Sequence, residues 1–196
     1  MKTKKIVVFA SGSGSNFKAL HQAAMKKEIP ARITALICDN PDAGALTYAR
    51  DHDIRTEVIS PRGFVDPETY KKKLDEILDE ESPDLIVLAG YLKKIPDEIV
   101  ERYPRKIINI HPSLLPKYGG KGWYGMRVHR AVINNREKET GCTVHYVTQD
   151  YDEGPVIARV KVPVSEKDTA ETVAAKVLRQ EHVLYPKVVR FLLSNT

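Results

Sequence analysis

The stretch Ile-Ile-Asn-Ile-His-Pro-Ser-Leu-Leu-Pro, residues 107–116, is an apolar segment that runs into Pro112 and ends at a second proline. Its isoleucines predict a short buried strand, and because strand side chains alternate between faces, Asn109 and His111 share one face. Both residues lie at the carboxyl end of that strand, where open α/β sheets bind ligands. Pro112 also favours an extended backbone at His111. Taken alone, the ten residues favour a simpler interpretation, a strand and a proline-bounded turn that carries a surface histidine.

An amide and an imidazole on one face of a strand end have the chemistry needed for a reaction at a carbonyl group. The amide of Asn109 can donate hydrogen bonds to an oxygen that becomes negatively charged. The imidazole of His111 can exchange protons near neutral pH. Both residues are therefore candidate catalytic groups.

Apolar runs and helical patterns alternate along the chain before this strand. We predict strands at residues 5–10, 33–38, 55–59 and 85–89. Helices are predicted after residue 16 and at residues 43–51, 67–80 and 96–103. Strands that alternate with helices predict a parallel sheet with right-handed crossovers.

The second half of the chain departs from that alternation. Residues 117–125, Lys-Tyr-Gly-Gly-Lys-Gly-Trp-Tyr-Gly, predict a mobile loop that closes over a ligand. The elements predicted after it are a helix at 125–134, strands at 141–148 and 156–164, and a helix at 168–195. The two adjacent strands predict an antiparallel addition to the sheet, and Pro186 predicts a break or kink in the last helix.

The first predicted strand is followed by Ser-Gly-Ser-Gly-Ser-Asn, residues 11–16. A loop of small residues between a strand and a helix presents backbone N–H groups to a phosphate, and Ser15 and Asn16 add side-chain donors and a helix cap. The dinucleotide fingerprint requires a third glycine where this chain has Phe17, so a tight turn is an equal alternative. Asp39, after the second strand, is interpreted as a turn residue rather than a ribose-binding acid.

Composition and charge limit the classes of partner. The chain has 196 residues, of which 42% are hydrophobic and 29% charged, and this suits one globular domain. The net charge of +5 suits an anionic small substrate and also weak nucleic-acid binding. No zinc-ligand spacing or RNA-binding aromatic signature accompanies the basic residues, so we expect no metal and no nucleic-acid partner.

The cysteines and the N-terminal residues predict a cytoplasmic protein. Cys38 and Cys142 lie in apolar segments and are expected to be buried, reduced thiols. The apolar run at residues 6–10 is too short for a signal peptide or a membrane span. We therefore expect no membrane partner.

Three motifs, in their order and spacing, resemble one family. They are Ser-Gly-Ser-Gly-Ser-Asn at 11–16, Asn-Ile-His-Pro-Ser-Leu-Leu-Pro at 109–116 and Asp-Tyr-Asp-Glu-Gly-Pro at 150–155. Over essentially its whole length the chain resembles the phosphoribosylglycinamide formyltransferases of purine biosynthesis. The resemblance implies a single domain over residues 1–196 with a three-layer, Rossmann-like α/β formyltransferase fold. Its phosphate-binding half would cover about residues 1–100, and its folate and catalytic half about residues 85–196.

The resemblance also implies a reaction. A formyl group would pass from the cosubstrate 10-formyltetrahydrofolate to the amine of glycinamide ribonucleotide. Asn109, His111 and Asp152 would form the catalytic set, in which Asn109 and a protonated His111 donate to the oxyanion. A neighbouring carboxylate raises the pKa of an imidazole, so Asp152 is expected to keep His111 charged more of the time. The formyl group is already activated on nitrogen, so neither a metal nor a covalent intermediate is required.

Binding residues follow from the same match. The substrate-binding residues would be Gly14, Ser15 and Asn16 at the phosphate and Glu181 at the ribose. The folate pocket would be lined by Leu92, Lys93, Lys94 and Ile95, together with Asn109. A monomer or a weak homodimer is expected.

The chain departs from the family pattern at several places. Residues 119–126 are longer and richer in glycine than the matching segment of familiar members, which leaves the role of this segment open. A folate-side arginine near Pro67 is missing, and Arg62 is a candidate replacement. The last helix has Leu178 at a position that is polar in the family, and the nearby candidates to replace that polar group are Lys176 and Arg179.

Three further histidines need an interpretation. His145 lies in a predicted strand and matches the family, and a structural hydrogen bond explains it as well as catalysis does. His129 and His182 lie on predicted helices and are expected to be peripheral.

Other functions remain as alternatives. A formyltetrahydrofolate hydrolase shares the Asn, His and Asp set but would be expected to carry an extra N-terminal regulatory domain. A methionyl-tRNA formyltransferase would need a C-terminal RNA-binding domain, and a sugar-nucleotide formyltransferase would be longer and differ in the first loop. A nucleotide-binding regulatory module without chemistry would leave Asn109, His111 and Asp152 unused.

Overall fold

The computed structural model describes residues 3–194. Its strands are β1 (Lys4–Ala10), β2 (Ala31–Cys38), β3 (Arg55–Val58), β4 (Leu85–Leu88), β5 (Ile107–His111), β6 (Glu139–Tyr146) and β7 (Val156–Pro163). Its helices are α1 (Ser15–Met25), α2 (Gly44–Arg50), α3 (Pro67–Glu81), α4 (Asp97–Arg102), α5 (Met126–Asn134) and α6 (Ala170–Ser194). Each predicted element is present with ends shifted by a residue or two. The predicted helix end at Asn195 lies outside the described residues.

Within residues 3–194 the strands form a seven-stranded sheet in the order β3-β2-β1-β4-β5-β6-β7. The strands from β1 to β5 pair in parallel, whereas β6 pairs antiparallel with both β5 and β7. The predicted parallel sheet with an antiparallel C-terminal addition is therefore confirmed. After β3 the chain crosses to the other side of β1, and such a reversal of strand order opens a crevice at the carboxyl ends of the strands.

Helices cover both faces of the sheet and so give three layers, as expected. On one face α1, α2, α5 and α6 pack over strand side chains such as Val8 and Val144. On the other face α3 and α4 pack over side chains such as Val7 and Ile86. The neighbours Val7 and Val8 belong to different cores because a strand that is buried on both faces sends successive side chains in opposite directions.

Helix α6 is fixed to the middle of the sheet by Tyr185. This side chain is fully buried, and its hydroxyl donates to the carbonyl oxygen of Leu88 at 2.9 Å and lies 3.2 Å from that of Ile108. Pro186 follows directly, yet the helix continues to Ser194, so of the predicted break or kink the break is wrong. Burial of apolar side chains before and after Pro186 outweighs the one backbone hydrogen bond that proline removes. No helix in residues 3–194 is long and apolar enough to cross a membrane.

We predict that Tyr185→Phe lowers the free energy of unfolding by roughly 1–3 kcal/mol, because it leaves two buried strand carbonyls without this donor. Urea denaturation measures the change. Tyr151→Phe, at an exposed tyrosine, is the matched control and should change stability by less than about 0.5 kcal/mol. Equal losses in the two variants would contradict the role of the Tyr185 hydroxyl.

Candidate active site

A cavity of about 780 Å³ opens at the carboxyl ends of β4 and β5. Small-molecule and cofactor sites typically occupy about 300–1,000 Å³, so the volume suits a bound substrate. The lining comes from the strand ends and from three loops, residues 90–95, 120–126 and 147–152. Side chains from both halves of the chain also line it, among them Asn16, Asn109, His111, His129, His145 and Glu181.

Asn109 and His111 face this cavity from β5, as the strand alternation predicts, and Asp152 joins them from the turn after β6. The amide nitrogen of Asn109 donates to Nε2 of His145 at 3.1 Å and to Oδ1 of Asp152 at 3.4 Å. His145 lies directly opposite Asn109 in the β5–β6 register, and its Nδ1 donates to the carbonyl of Tyr146 at 2.9 Å. In the neutral ring this second bond leaves Nε2 as an acceptor for the amide of Asn109, whereas in the charged ring Nε2 carries a proton toward Oδ1 of Asp152, 3.5 Å away.

His111 is almost completely buried, with 4% of its surface exposed, and it has two neighbours in the site. Its Nε2 lies 2.7 Å from the carbonyl oxygen of Tyr118, and its Nδ1 lies 3.3 Å from Oδ2 of Asp152. Burial lowers the pKa of His111 and outweighs the upward effects of the Asp152 charge and of the bond to Tyr118. The expectation that His111 has a raised pKa is therefore wrong in sign, although the carboxylate acts in the expected direction.

Asp152 is nearly buried and is surrounded by donors. Burial alone would raise the pKa of Asp152, but His145, the charge of His111 and the backbone N–H of Gly120 together lower it below its usual value. The N–H of Gly120 donates to Oδ2 at 2.9 Å. The carboxylate is consequently charged at neutral pH and faces the imidazole of His111.

The turn after β5 carries the chain back over these residues. Thr143 of β6 donates from Oγ1 to the carbonyl of Ser113 at 2.7 Å and accepts from the N–H of Leu115 at 3.1 Å. The hydroxyl of Ser113 donates to the carbonyl of Lys117 at 2.6 Å. These bonds satisfy the backbone groups of a buried turn, and they bring the glycine-rich loop (residues 117–125) against the catalytic candidates.

The first loop differs from the prediction in one respect. Gly14, rather than a side chain, caps α1, with a left-handed backbone at φ 71°. A Cβ at this position would lie 2.6 Å from Cβ of Ala45, so only glycine fits. Asn16 does not cap the helix but donates from Nδ2 to Oε2 of Glu181 at 2.7 Å, while its Oδ1 has no hydrogen-bond partner among the described residues.

Glu181 reaches the cavity from α6 and is almost completely buried. Burial raises the pKa of Glu181 above its usual value, and the hydrogen bond from Asn16 only partly offsets this. The pair joins α1 to α6 at the cavity wall. Of the four predicted substrate-binding residues, Asn16 and Glu181 line the cavity, and Gly14 and Ser15 lie beside Asn16 at the start of α1.

The segment expected to bind folate, Leu92, Lys93, Lys94 and Ile95, lines the cavity in full. The ammonium of Lys93 lies 3.4 Å from the carboxylate of Asp39, and that of Lys94 lies 2.7 Å from Asp97. Asp39 therefore tethers this loop as well as lying in a turn. The N–H of Leu92 donates to the hydroxyl of Ser11 at 2.9 Å, so this backbone donor is already used inside the protein.

Four other residues that the sequence analysis singled out do not lie where it placed them, or do not face the cavity. His129 was expected to be peripheral but lines the cavity, and burial together with the charge of His111 lowers the pKa of His129 to about 4. Its position just after the glycine-rich loop is the signal that could have indicated this. Arg62 is exposed and does not line the cavity. Of the two candidates to replace the polar group at the position of Leu178, Lys176 pairs with Asp168 at 2.6 Å. The other candidate, Arg179, donates to a backbone carbonyl of its own helix.

Among residues 3–194, no group of three or more His, Cys, Asp or Glu side chains is arranged to hold a metal ion. The side chains that approach one another in the cavity are instead linked by hydrogen bonds and by opposite charge. Such an arrangement suits proton transfer and the stabilisation of negative charge on an oxygen atom.

Comparison with known proteins identifies the group to which this chain belongs. The sequence model described as formyl transferase matches residues 4–189. The chain belongs to the formyl transferase family. It is 38% identical to phosphoribosylglycinamide formyltransferase of Escherichia coli K12, and the match covers 94% of this chain and 84% of that protein. It is 42% identical to a chloroplastic phosphoribosylglycinamide formyltransferase of Vigna unguiculata over 98% of this chain.

The chain spans 62% of the length of the Vigna unguiculata formyltransferase and 65% of that of an Arabidopsis thaliana relative. Among solved structures, glycinamide ribonucleotide transformylase 1 of Geobacillus kaustophilus superimposes with a TM-score of 0.91 at 38% identity. That match covers 98% of this chain and 100% of the other. A formyltetrahydrofolate deformylase of Pseudomonas syringae, at 24% identity and a TM-score of 0.86, shares the formyl transferase fold.

We predict that Asp152→Asn lowers the pKa of His111 further, because the carboxylate attraction that favours the protonated ring is lost while burial remains. The measurement is an NMR titration of the histidine ring protons, with the His111 signal assigned by its absence in His111→Gln.

Asp150→Asn changes an exposed carboxylate two residues away and should leave that titration unchanged. A His111 pKa that stays constant or rises in Asp152→Asn would show that the Asp152 charge does not act on the ring.

Proposed function

We propose that this protein transfers a formyl group from 10-formyltetrahydrofolate to the amine of glycinamide ribonucleotide, as a step of purine biosynthesis. The observation that carries the proposal is that one cavity contains Asn109, His111 and Asp152 together with Asn16 and Glu181. Asn109, His111 and Asp152 suit chemistry at a carbonyl group. Asn16 and Glu181 lie where the first loop and α6 meet. The names of the relatives at 35–42% identity support the same assignment.

The residues of the cavity supply the steps of this reaction. Bound 10-formyltetrahydrofolate provides a formyl group that is already activated on nitrogen. Asn109 turns from its partners in the free protein, and it donates together with protonated His111 to the formyl oxygen as negative charge develops there. Asp152 stabilises the charged imidazole, and through a water molecule these groups carry the amine proton to the departing nitrogen.

The cavity walls suit the two substrates. The loop that starts α1, with Gly14, Ser15 and Asn16, offers backbone and side-chain donors to the phosphate, and Glu181 accepts from ribose hydroxyls. Apolar groups at the strand ends and in the loop 91–95, among them Leu88, Tyr91 and Ile95, fit a flat ring system. Leu92, Lys93, Lys94 and Ile95 are assigned to the folate side together with Asn109.

The proposal also covers the domain organisation of the chain, its oligomeric state and its partners. Residues 1–196 act as one domain, with the phosphate-binding half at about residues 1–100 and the folate and catalytic half at about residues 85–196. The proposal includes a monomer or weak homodimer in the cytoplasm, with no nucleic-acid or membrane partner. The charge of +5 supports the anionic substrate.

The assay that tests the proposal mixes purified protein with 10-formyltetrahydrofolate, with and without glycinamide ribonucleotide, and follows the folate product by absorbance. The expected result is folate product only when the ribonucleotide is present. Release of folate without it would assign the protein as a hydrolase, and no product in either mixture would overturn the proposed reaction.

We predict that His111→Ala lowers kcat by roughly 10²–10⁴-fold with KM for both substrates nearly unchanged, because positioned proton transfer contributes about that much to the rate. Steady-state kinetics measure both constants. His52→Ala, at an exposed histidine that bonds to the carbonyl of Tyr48, is the control and should keep full activity. Full turnover by His111→Ala would remove His111 from the catalytic set.

A further inference from the structure

The glycine-rich loop, which the sequence predicts to close over a ligand, makes a direct contact with His111. The carbonyl oxygen of Tyr118 lies 2.7 Å from Nε2 of His111. A carbonyl can only accept a hydrogen bond, so Nε2 must carry the proton whenever this contact is made. In the neutral ring Nδ1 is then unprotonated, and it lies 3.3 Å from Oδ2 of Asp152.

Tyr118 is held in place through its own side chain. Its hydroxyl donates to Oε1 of Glu137 at 2.6 Å and accepts from the amide of Asn135 at 2.8 Å. Its ring packs edge-on against Trp123, with centroids 5.3 Å apart. The backbone of Tyr118 is left-handed, at φ 55°, which is unfavourable for a residue with a Cβ. The side-chain anchors offset that cost and aim the carbonyl at the imidazole.

The same loop also holds the carboxylate that faces His111. Gly120, two residues after Tyr118, donates its N–H to Oδ2 of Asp152 at 2.9 Å. This is the oxygen that lies nearest to Nδ1 of His111. A three-residue segment of the loop therefore contacts one nitrogen of the ring and the carboxylate opposite the other nitrogen.

We propose that Tyr118 is a positioning residue: its carbonyl keeps His111 in the tautomer protonated at Nε2, so that Nδ1 is the nitrogen that exchanges a proton in the reaction. The kinetic consequence rests on the proposed function, whereas the tautomer itself does not. Asn135 and Glu137, which lie just beyond the end of α5, act through Tyr118 by fixing its ring. The glycine-rich loop is thereby part of the catalytic geometry in addition to being a wall of the cavity.

The tautomer is tested directly in the unaltered protein. Long-range proton–nitrogen NMR spectra of ¹⁵N-histidine-labelled protein, recorded above the titration of His111, distinguish the two neutral forms, and His111→Gln assigns the signals. The expected result is a ring protonated at Nε2. A ring protonated at Nδ1 would overturn the proposal, whether or not formyl transfer is observed.

The anchor is tested with variants that leave the backbone of residue 118 intact. Tyr118→Phe should lower kcat roughly 10-fold, less than the ~100-fold that a 1 Å displacement of a reacting group can cost, with KM within about twofold. It should also give His111 a mixture of tautomers. Glu137→Ala should behave like Tyr118→Phe, whereas Glu137→Gln keeps an acceptor for the hydroxyl and should restore most of kcat.

The matched control is Tyr103→Phe, which removes a hydroxyl that lies 3.5 Å from the carbonyl of Leu78, away from the cavity. It should change neither kcat nor the His111 spectrum. Unchanged kcat and an unchanged spectrum in both Tyr118→Phe and Glu137→Ala would overturn the role of the anchor. If the unaltered protein shows no formyl transfer but His111 is protonated at Nε2, the proposed function is contradicted and the tautomer assignment stands.

Discussion

The site depends on one buried carboxylate. Asp152 accepts hydrogen bonds from Asn109 and from the backbone of Gly120, and it lies within 3.5 Å of ring nitrogens of His111 and His145. A buried charge is tolerated only where partners compensate it. The two histidines, the amide and the backbone N–H therefore cannot move away from Asp152 without leaving its charge uncompensated. Because they come from β5, from β6 and from the glycine-rich loop, the carboxylate joins three parts of the chain at one point.

The topology of the sheet explains why these parts meet. β5 is the last parallel strand and also the partner of the antiparallel β6, so its carboxyl end lies next to residues that come from both halves of the chain. The register sets His145 opposite Asn109, and Tyr185 of α6 binds the carbonyls of Leu88 and Ile108 beneath the cavity. The rigid strand end holds the polar groups, while loops and helix ends complete the walls, as is usual in open α/β sheets.

Local rules predicted the elements and the shared face of Asn109 and His111, because strand alternation and prolines act over a few residues. They could not predict contacts made across the fold. The pKa of His111 is lowered because burial, a property of the whole structure, exceeds the attraction of Asp152. Asn16 bonds to Glu181 across 165 positions instead of capping its own helix, and His129 reaches the cavity through the packing of α5. Pro186 remains helical because α6 is buried along its length.

The central claim is that His111 and Asp152 act as one unit in formyl transfer. A double-mutant cycle with His111→Ala, Asp152→Asn and the combined variant tests it, with kcat for formyl transfer as the readout. Residues that act as a unit are strongly non-additive, so the combined variant should be no slower than the slower single variant, within about threefold. A combined loss equal to the product of the two single losses would contradict the claim, because it would mean that the imidazole and the carboxylate act independently.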